Sequence, residues 1–183
     1  MSRNEPLIEI DSARLNERIQ DIAAIGPTMN GGSNRQALTD EDAEARNLFM
    51  KWCNDAACEV RVDSMGNIFA RRHGSNPDAD PILIGSHLDT QPTGGRFDGV
   101  YGVLAGLEVI DSLNDSQIQT QAPVEVVVWT NEEGCRFDTP SMGSSVWAGL
   151  LSETNAHAQK ASQGQSVISE LERRGFLGAV PTQ

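Results

Sequence analysis

Residues 85–99 read GSHLDTQPTGGRFDG, and the fold follows from what stands on either side of them. Ile82-Leu83-Ile84 leads in, a short apolar run of the kind that forms a buried central strand. Val100, Val103, Leu104 and Leu107 lead out, spaced i, i+3, i+4, i+7, which is the apolar stripe of an amphipathic helix. Gly102 and Gly106 lie within that helix. Glycine weakens helices, so their presence predicts close packing on a sheet beneath. Val124–Trp129 reads as a further strand, and strands alternating with helices indicate an α/β domain with a largely parallel sheet.

The same stretch carries polar residues that need a reason. His87 and Asp89 stand two apart, and in extended chain such positions face the same way. The Asp89 carboxylate is thus expected to accept a hydrogen bond from one imidazole nitrogen of His87, freeing the other for a metal. Asp98-Gly99 follows at the mouth of the helix. Thr130-Asn131-Glu132-Glu133-Gly134 ends the second strand, and adjacent carboxylates there are costly unless something positive lies beside them. Ligands of open α/β sheets collect at the carboxyl ends of strands, so the two acidic clusters are expected to converge. Taken singly, Asp98 reads as a helix N-cap, His87 as a structural histidine, and Glu132-Glu133 as a solvated turn. Read together, at the tips of two buried strands, they point to a metal site.

Composition narrows the classes. A chain of 183 residues is one domain on length, and 14 basic against 26 acidic residues give a net charge of −12. That balance argues against a nucleic-acid partner, which needs basic patches. Cys53, Cys58 and Cys135 lack paired spacing and read as reduced thiols, Cys135 as a small buried residue beside a turn. With no secretory leader pattern and no membrane-length apolar run, the expected location is cytoplasmic. His73 and His157 sit in polar surroundings and read as surface residues; Arg96 reads as an offset to local acidity. Further helices are expected over about 11–25, from a Thr39 cap with Asp42 in the capping-box position, over 142–151 and over 166–175; strands are expected at 59–63 and 67–72, joined at Ser64-Met65-Gly66, where the glycine suits a tight turn.

Gly85–Thr90, Gly94–Gly99 and Thr130–Gly134, in this order and spacing, resemble the dinuclear metal amidohydrolases of the M20 peptidase family. Pro92-Thr93-Gly94-Gly95 and Trp129–Glu133 look more like its N-carbamoyl-L-amino-acid hydrolase and ureidopropionase branch than like allantoate amidohydrolases. The resemblance implies a three-layer α/β/α catalytic domain of zinc-peptidase type, with a mostly parallel mixed sheet. It implies two divalent ions (zinc, manganese, cobalt or nickel), held by His87, by Asp98 as the bridge and by Glu133. Asp89 would orient His87, and Glu132 would be the general base. Such an ion pair, about 3.5–4 Å apart, supplies hydroxide at neutral pH and polarises the carbonyl under attack. The implied reaction is hydrolysis of an N-carbamoyl-L-amino acid or related ureido compound to the amino acid, carbon dioxide and ammonia.

Members of that family are much longer. They carry further metal-binding histidines beyond the stretch matched here, and a lid domain that dimerises and contacts substrate. Residues 1–183 are therefore expected to be an amino-terminal part of the catalytic domain, incomplete at its carboxyl end. Three ligand groups serve two ions that each want about four, so weak ion binding and no turnover are expected. Other readings are an allantoate amidohydrolase or peptidase-like amidase, and a non-catalytic remnant that binds a partner.

Overall fold

The computed structural model describes residues 8–182. Helix α1, Ser12–Ala23, starts where the Asp11 carboxylate accepts from the N–H groups of Ala13 and Arg14. Helix α2, Asp40–Asp55, starts at Thr39, whose hydroxyl accepts from the Asp42 N–H. Only half of the expected capping box forms. The Asp42 carboxylate accepts instead from the Leu38 N–H at 2.8 Å and from Arg46 Nε at 2.7 Å. Arg46 is fully buried, and a charge-assisted bond is stronger than one to a backbone amide.

Strands β1, Glu59–Val62, and β2, Ile68–Arg72, form a hairpin. Strand β3, Ile82–His87, helix α3, Val100–Asp115, and strand β4, Val124–Trp129, follow as one crossover unit. Helices α4, Met142–Trp147, α5, Glu153–Ala158, and α6, Val167–Arg174, complete the described chain. Helix α4 stops short of the expected Leu151 because Gly149, at φ +72°, turns the chain out of it. Helix α5 lies in a polar stretch without helical periodicity and starts on the Ser152 hydroxyl, which accepts from Asn155 N–H.

Among the described residues the sheet has four strands in the order β1-β2-β4-β3, and it corrects one expectation. Only β3–β4 is parallel; β1–β2 and β2–β4 are antiparallel, so the sheet is mixed but not mostly parallel. The cause is local. Asp63 accepts from the Met65 and Asn67 N–H groups and holds a tight turn with Gly66 at φ +76°, which reverses the chain into β2.

Strand β4 is central and buried from Val124 to Val128. Helix α3 lies directly on it: a Cβ at Gly106 would come within 3.1 Å of the Ile84 and Val126 side chains. The helix glycines thus mark the close packing they predicted. On the opposite face Glu125 is buried beneath Arg61 and Arg71, and Trp129 meets Phe69 and Trp147 edge-on or tilted. Trp147 of α4 covers one end of this face, while Leu83 and Gly85 on β3 remain exposed. The expected outer helical layer is therefore incomplete among the described residues.

Candidate metal centre

The tips of the parallel pair β3–β4 lie side by side, His87 opposite Trp129, which brings the two acidic loops together. His87 is buried, and its imidazole lies flat against Gly99. A Cβ at Gly99 would sit 2.5 Å from the ring and from the His87 carbonyl, and φ there is +67°. Glycine is required on both counts.

His87 Nδ1 is 2.8 Å from the Asp89 backbone carbonyl, an acceptor only, so Nδ1 carries a hydrogen and, in the neutral ring, Nε2 holds the lone pair. This departs from expectation: the carbonyl of Asp89, not its carboxylate, fixes the ring, with the nearest carboxylate oxygen 3.9 Å away. The carboxylate has another task. Its two oxygens accept from the Glu132 and Glu133 N–H groups, each at 3.2 Å, so Asp89 pins the acid turn of β4 to the tip of β3. Burial pushes the Asp89 carboxyl up to about 6, with nearby Asp42 adding to the shift and His87 and Arg46 opposing it.

Nε2 of His87 faces two carboxylates, Glu132 Oε2 at 3.4 Å and Asp98 Oδ1 at 3.9 Å. Asp98 is not a cap, since α3 has Gly99 as its N-cap and no side-chain cap bond. Glu133 Oε2 accepts from Gln91 Nε2 at 3.1 Å. His87, Asp98 and Glu132 are thus neighbours, whereas among the described residues Glu133 makes no such contact with the His87 ring. No group of three or more His, Cys, Asp or Glu side chains is drawn tightly enough around one point to hold an ion, among the described residues. The donor set nevertheless fits one in kind. An imidazole lone pair facing two carboxylate oxygens leaves an electron-rich gap that a divalent cation satisfies, and imidazole with carboxylate suits zinc, manganese, cobalt or nickel.

Several residues that hold the site escaped the sequence reading. Asn67 is fully buried and accepts from the Thr130 N–H at 2.9 Å, while its amide donates to Asp63 at 2.9 Å and the Gly143 carbonyl at 3.3 Å. Arg46 reaches Thr130 Oγ1 from α2. Arg136 donates to the Ala37 and Leu38 carbonyls and to Glu170, bolting the acid loop to its surroundings. Ser141, at φ +52°, donates its backbone N–H to the Glu132 carbonyl at 2.7 Å, and its Oγ lies 3.2 Å from Glu132 Oε1. Only Gln91 carried a signal, as the next alternate position after His87 and Asp89. Cys135 proves exposed rather than buried, and His157 is half-buried against the Ser64 carbonyl.

Residues 83–170 match peptidase family M20/M25/M40. An N-carbamoyl-L-amino-acid amidohydrolase of Rhizobium meliloti is 50% identical over 169 residues, which is 92% of this chain and 41% of that protein. Allantoate deiminase 2 of Glycine max is 38% identical over 127 residues, 68% of this chain and 26% of that one. A solved hydantoinase/carbamoylase family amidase from Burkholderia ambifaria superposes with a TM-score of 0.95 at 52% identity, covering 96% of this chain and 44% of that structure. The chain belongs to the M20 family. Within it, the chain is similar to the hydantoinase/carbamoylase amidases, and it spans about two-fifths of the length of the N-carbamoyl-L-amino-acid amidohydrolases it matches.

Proposed function

We propose that this chain carries part of the catalytic domain of an amidohydrolase that cleaves the carbamoyl C–N bond of an N-carbamoyl-L-amino acid. The observation that supports it most is the lone pair of His87 Nε2, aimed at the carboxylates of Asp98 and Glu132 from the tip of a neighbouring strand. In this reading His87, Asp98 and Glu133 are the residues that would hold two divalent ions. Bound ions would supply Lewis acidity to the carbamoyl carbonyl and acidify an attacking water. Glu132 is the base. Its Oε1 is engaged by the Ser141 hydroxyl, which leaves Oε2, on the His87 side, to take the proton from water and return it to the leaving amine. Asp89 touches no reacting atom; it positions both glutamates through their backbone. The greater identity to the Rhizobium enzyme than to the allantoate deiminase favours the carbamoyl amino acid as substrate.

Three candidate ligands are few for two ions, so ion binding by these residues is expected to be weak. The test is equilibrium dialysis against Mn2+ or Zn2+ with elemental analysis. His87→Ala should reduce bound metal at least about tenfold relative to the unaltered chain, given the loss of the one imidazole ligand. Equal binding by the two would refute the metal site.

A further inference from the structure

His87, Asp89 and Gln91 follow one another at alternate positions, and all three side chains or their carbonyls serve the meeting of the two loops. The first offers a ligand nitrogen, the second holds the backbone of the acid turn, and the third reaches the Glu133 side chain. We propose that Gln91 is a positioning residue for the Glu133 carboxylate, and through it for the ion that Glu133 holds; this rests on reading Glu133 as a ligand.

The geometry supports the assignment from both ends. A carboxylate only accepts, so the Gln91 amide presents its nitrogen to Oε2 and leaves Oε1 free. The base of the side chain is fixed as well. The Gln91 carbonyl accepts from Thr90 Oγ1 at 2.9 Å and from Gly94 N–H at 3.2 Å, and Thr90 is itself bound on both sides to the Arg35 backbone. Glu133 has its N–H on Asp89, so the two ends of this residue are held by side chains two positions apart in β3's extension. Without Gln91 the half-buried glutamate side chain must lose more rotamer freedom each time an ion binds. Partners of this sort around a ligand carboxylate are typically worth about 10–100-fold in metal affinity.

The test is titration of the chain with Mn2+, with free ion read by electron paramagnetic resonance, on Gln91→Leu, Glu133→Ala and the double variant. Gln91 is exposed, so the leucine variant should keep its circular dichroism spectrum and urea midpoint. The expected result is about tenfold weaker binding in Gln91→Leu and a larger loss in Glu133→Ala, with the double variant no weaker than Glu133→Ala alone. Unchanged binding in Gln91→Leu, or additive losses in the double variant, overturns the role of Gln91 and leaves Glu133 as a ligand. Unchanged binding in Glu133→Ala, or no Mn2+ uptake by the unaltered chain, overturns the ligand reading and this inference with it.

Discussion

The two loops that meet at His87 are built on opposite principles. The acid turn after β4 is held from every side: Asn67 on the Thr130 N–H, Arg46 on its hydroxyl, Asp89 on the next two free amides, and Arg136 on neighbouring carbonyls. Asn131 within it adopts φ +51°, with its amide tied to the Phe137 and Thr139 carbonyls. Asp98, across the gap, is 62% exposed on its side chain and lies 3.9 Å from His87 Nε2. One side of the site is set by folding. The other lies open to solvent.

The sharpest way to break that contrast is Asn67→Ala. It removes three side-chain hydrogen bonds in a fully buried position and strands the Thr130 N–H and one Asp63 oxygen. Each buried group left unpaired costs about 1–3 kcal/mol, so a loss of about 3–5 kcal/mol is expected in urea unfolding. A loss under about 1 kcal/mol would mean that the acid turn holds its shape without this brace.

Gly99→Ala acts on the junction itself and ranks second. The new methyl would press on the imidazole and the His87 carbonyl at a left-handed φ, so both backbone strain and the ring's displacement oppose it. An expected destabilisation of about 2–3 kcal/mol combines strain and overpacking. The chemical shifts of the His87 ring should move with it. A ring unmoved in the alanine variant would show that Gly99 is not what sets its position.

Sequence made the strands, the three longest helices and the convergence of the two loops legible, because each rests on local periodicity: the apolar run before Gly85, the α3 stripe, the β-branched run of β4. The braces were not legible. Asp42 and Arg46 at i, i+4 look like an ordinary surface pair, yet both are fully buried because α2 presses that face onto the Gly66 turn and Thr130. Asn67 after a turn glycine looks like turn chemistry, and only the arrival of β4 alongside β2 gives it Thr130 to hold. The tight turn at Ser64-Met65-Gly66 was legible and makes the β1–β2 hairpin; the antiparallel pairing of β2 with β4 was not, because alternating strands and helices suggest parallel crossovers.

Acid titration probes the outer brace of the acid turn, with a smaller expected effect. The bond from Arg173 holds the Glu170 carboxyl below its ordinary value, burial opposes this, and Arg136 adds to the lowering. A carboxyl depressed in the folded state adds stability above its unfolded pKa, and that stability is lost as pH falls through the folded value. The unaltered chain should therefore lose stability below about pH 4.5, the ordinary range for glutamate, and Glu170→Gln should lose less over the same interval. Parallel curves for the two would show that the Arg136 bolt carries no pH-dependent energy.

The smallest effect on stability is expected at Asp98, and its smallness is the point. Were this residue the helix cap its position suggests, Asp98→Ala would cost about 1 kcal/mol. Helix α3 instead starts at Gly99 with no side-chain cap, and Asp98 faces the same gap as Glu132, so the carboxylate contributes repulsion rather than support. The variant should unfold within about 0.5 kcal/mol of the parent, the range of an ordinary surface change, or slightly above it. Its Mn2+ affinity should fall at least about tenfold, since a direct ligand is worth no less than the partners that orient one. A full cap's loss in stability with ion binding intact would reverse both halves of the comparison, making Asp98 a structural residue and leaving the gap beside His87 without its proposed purpose.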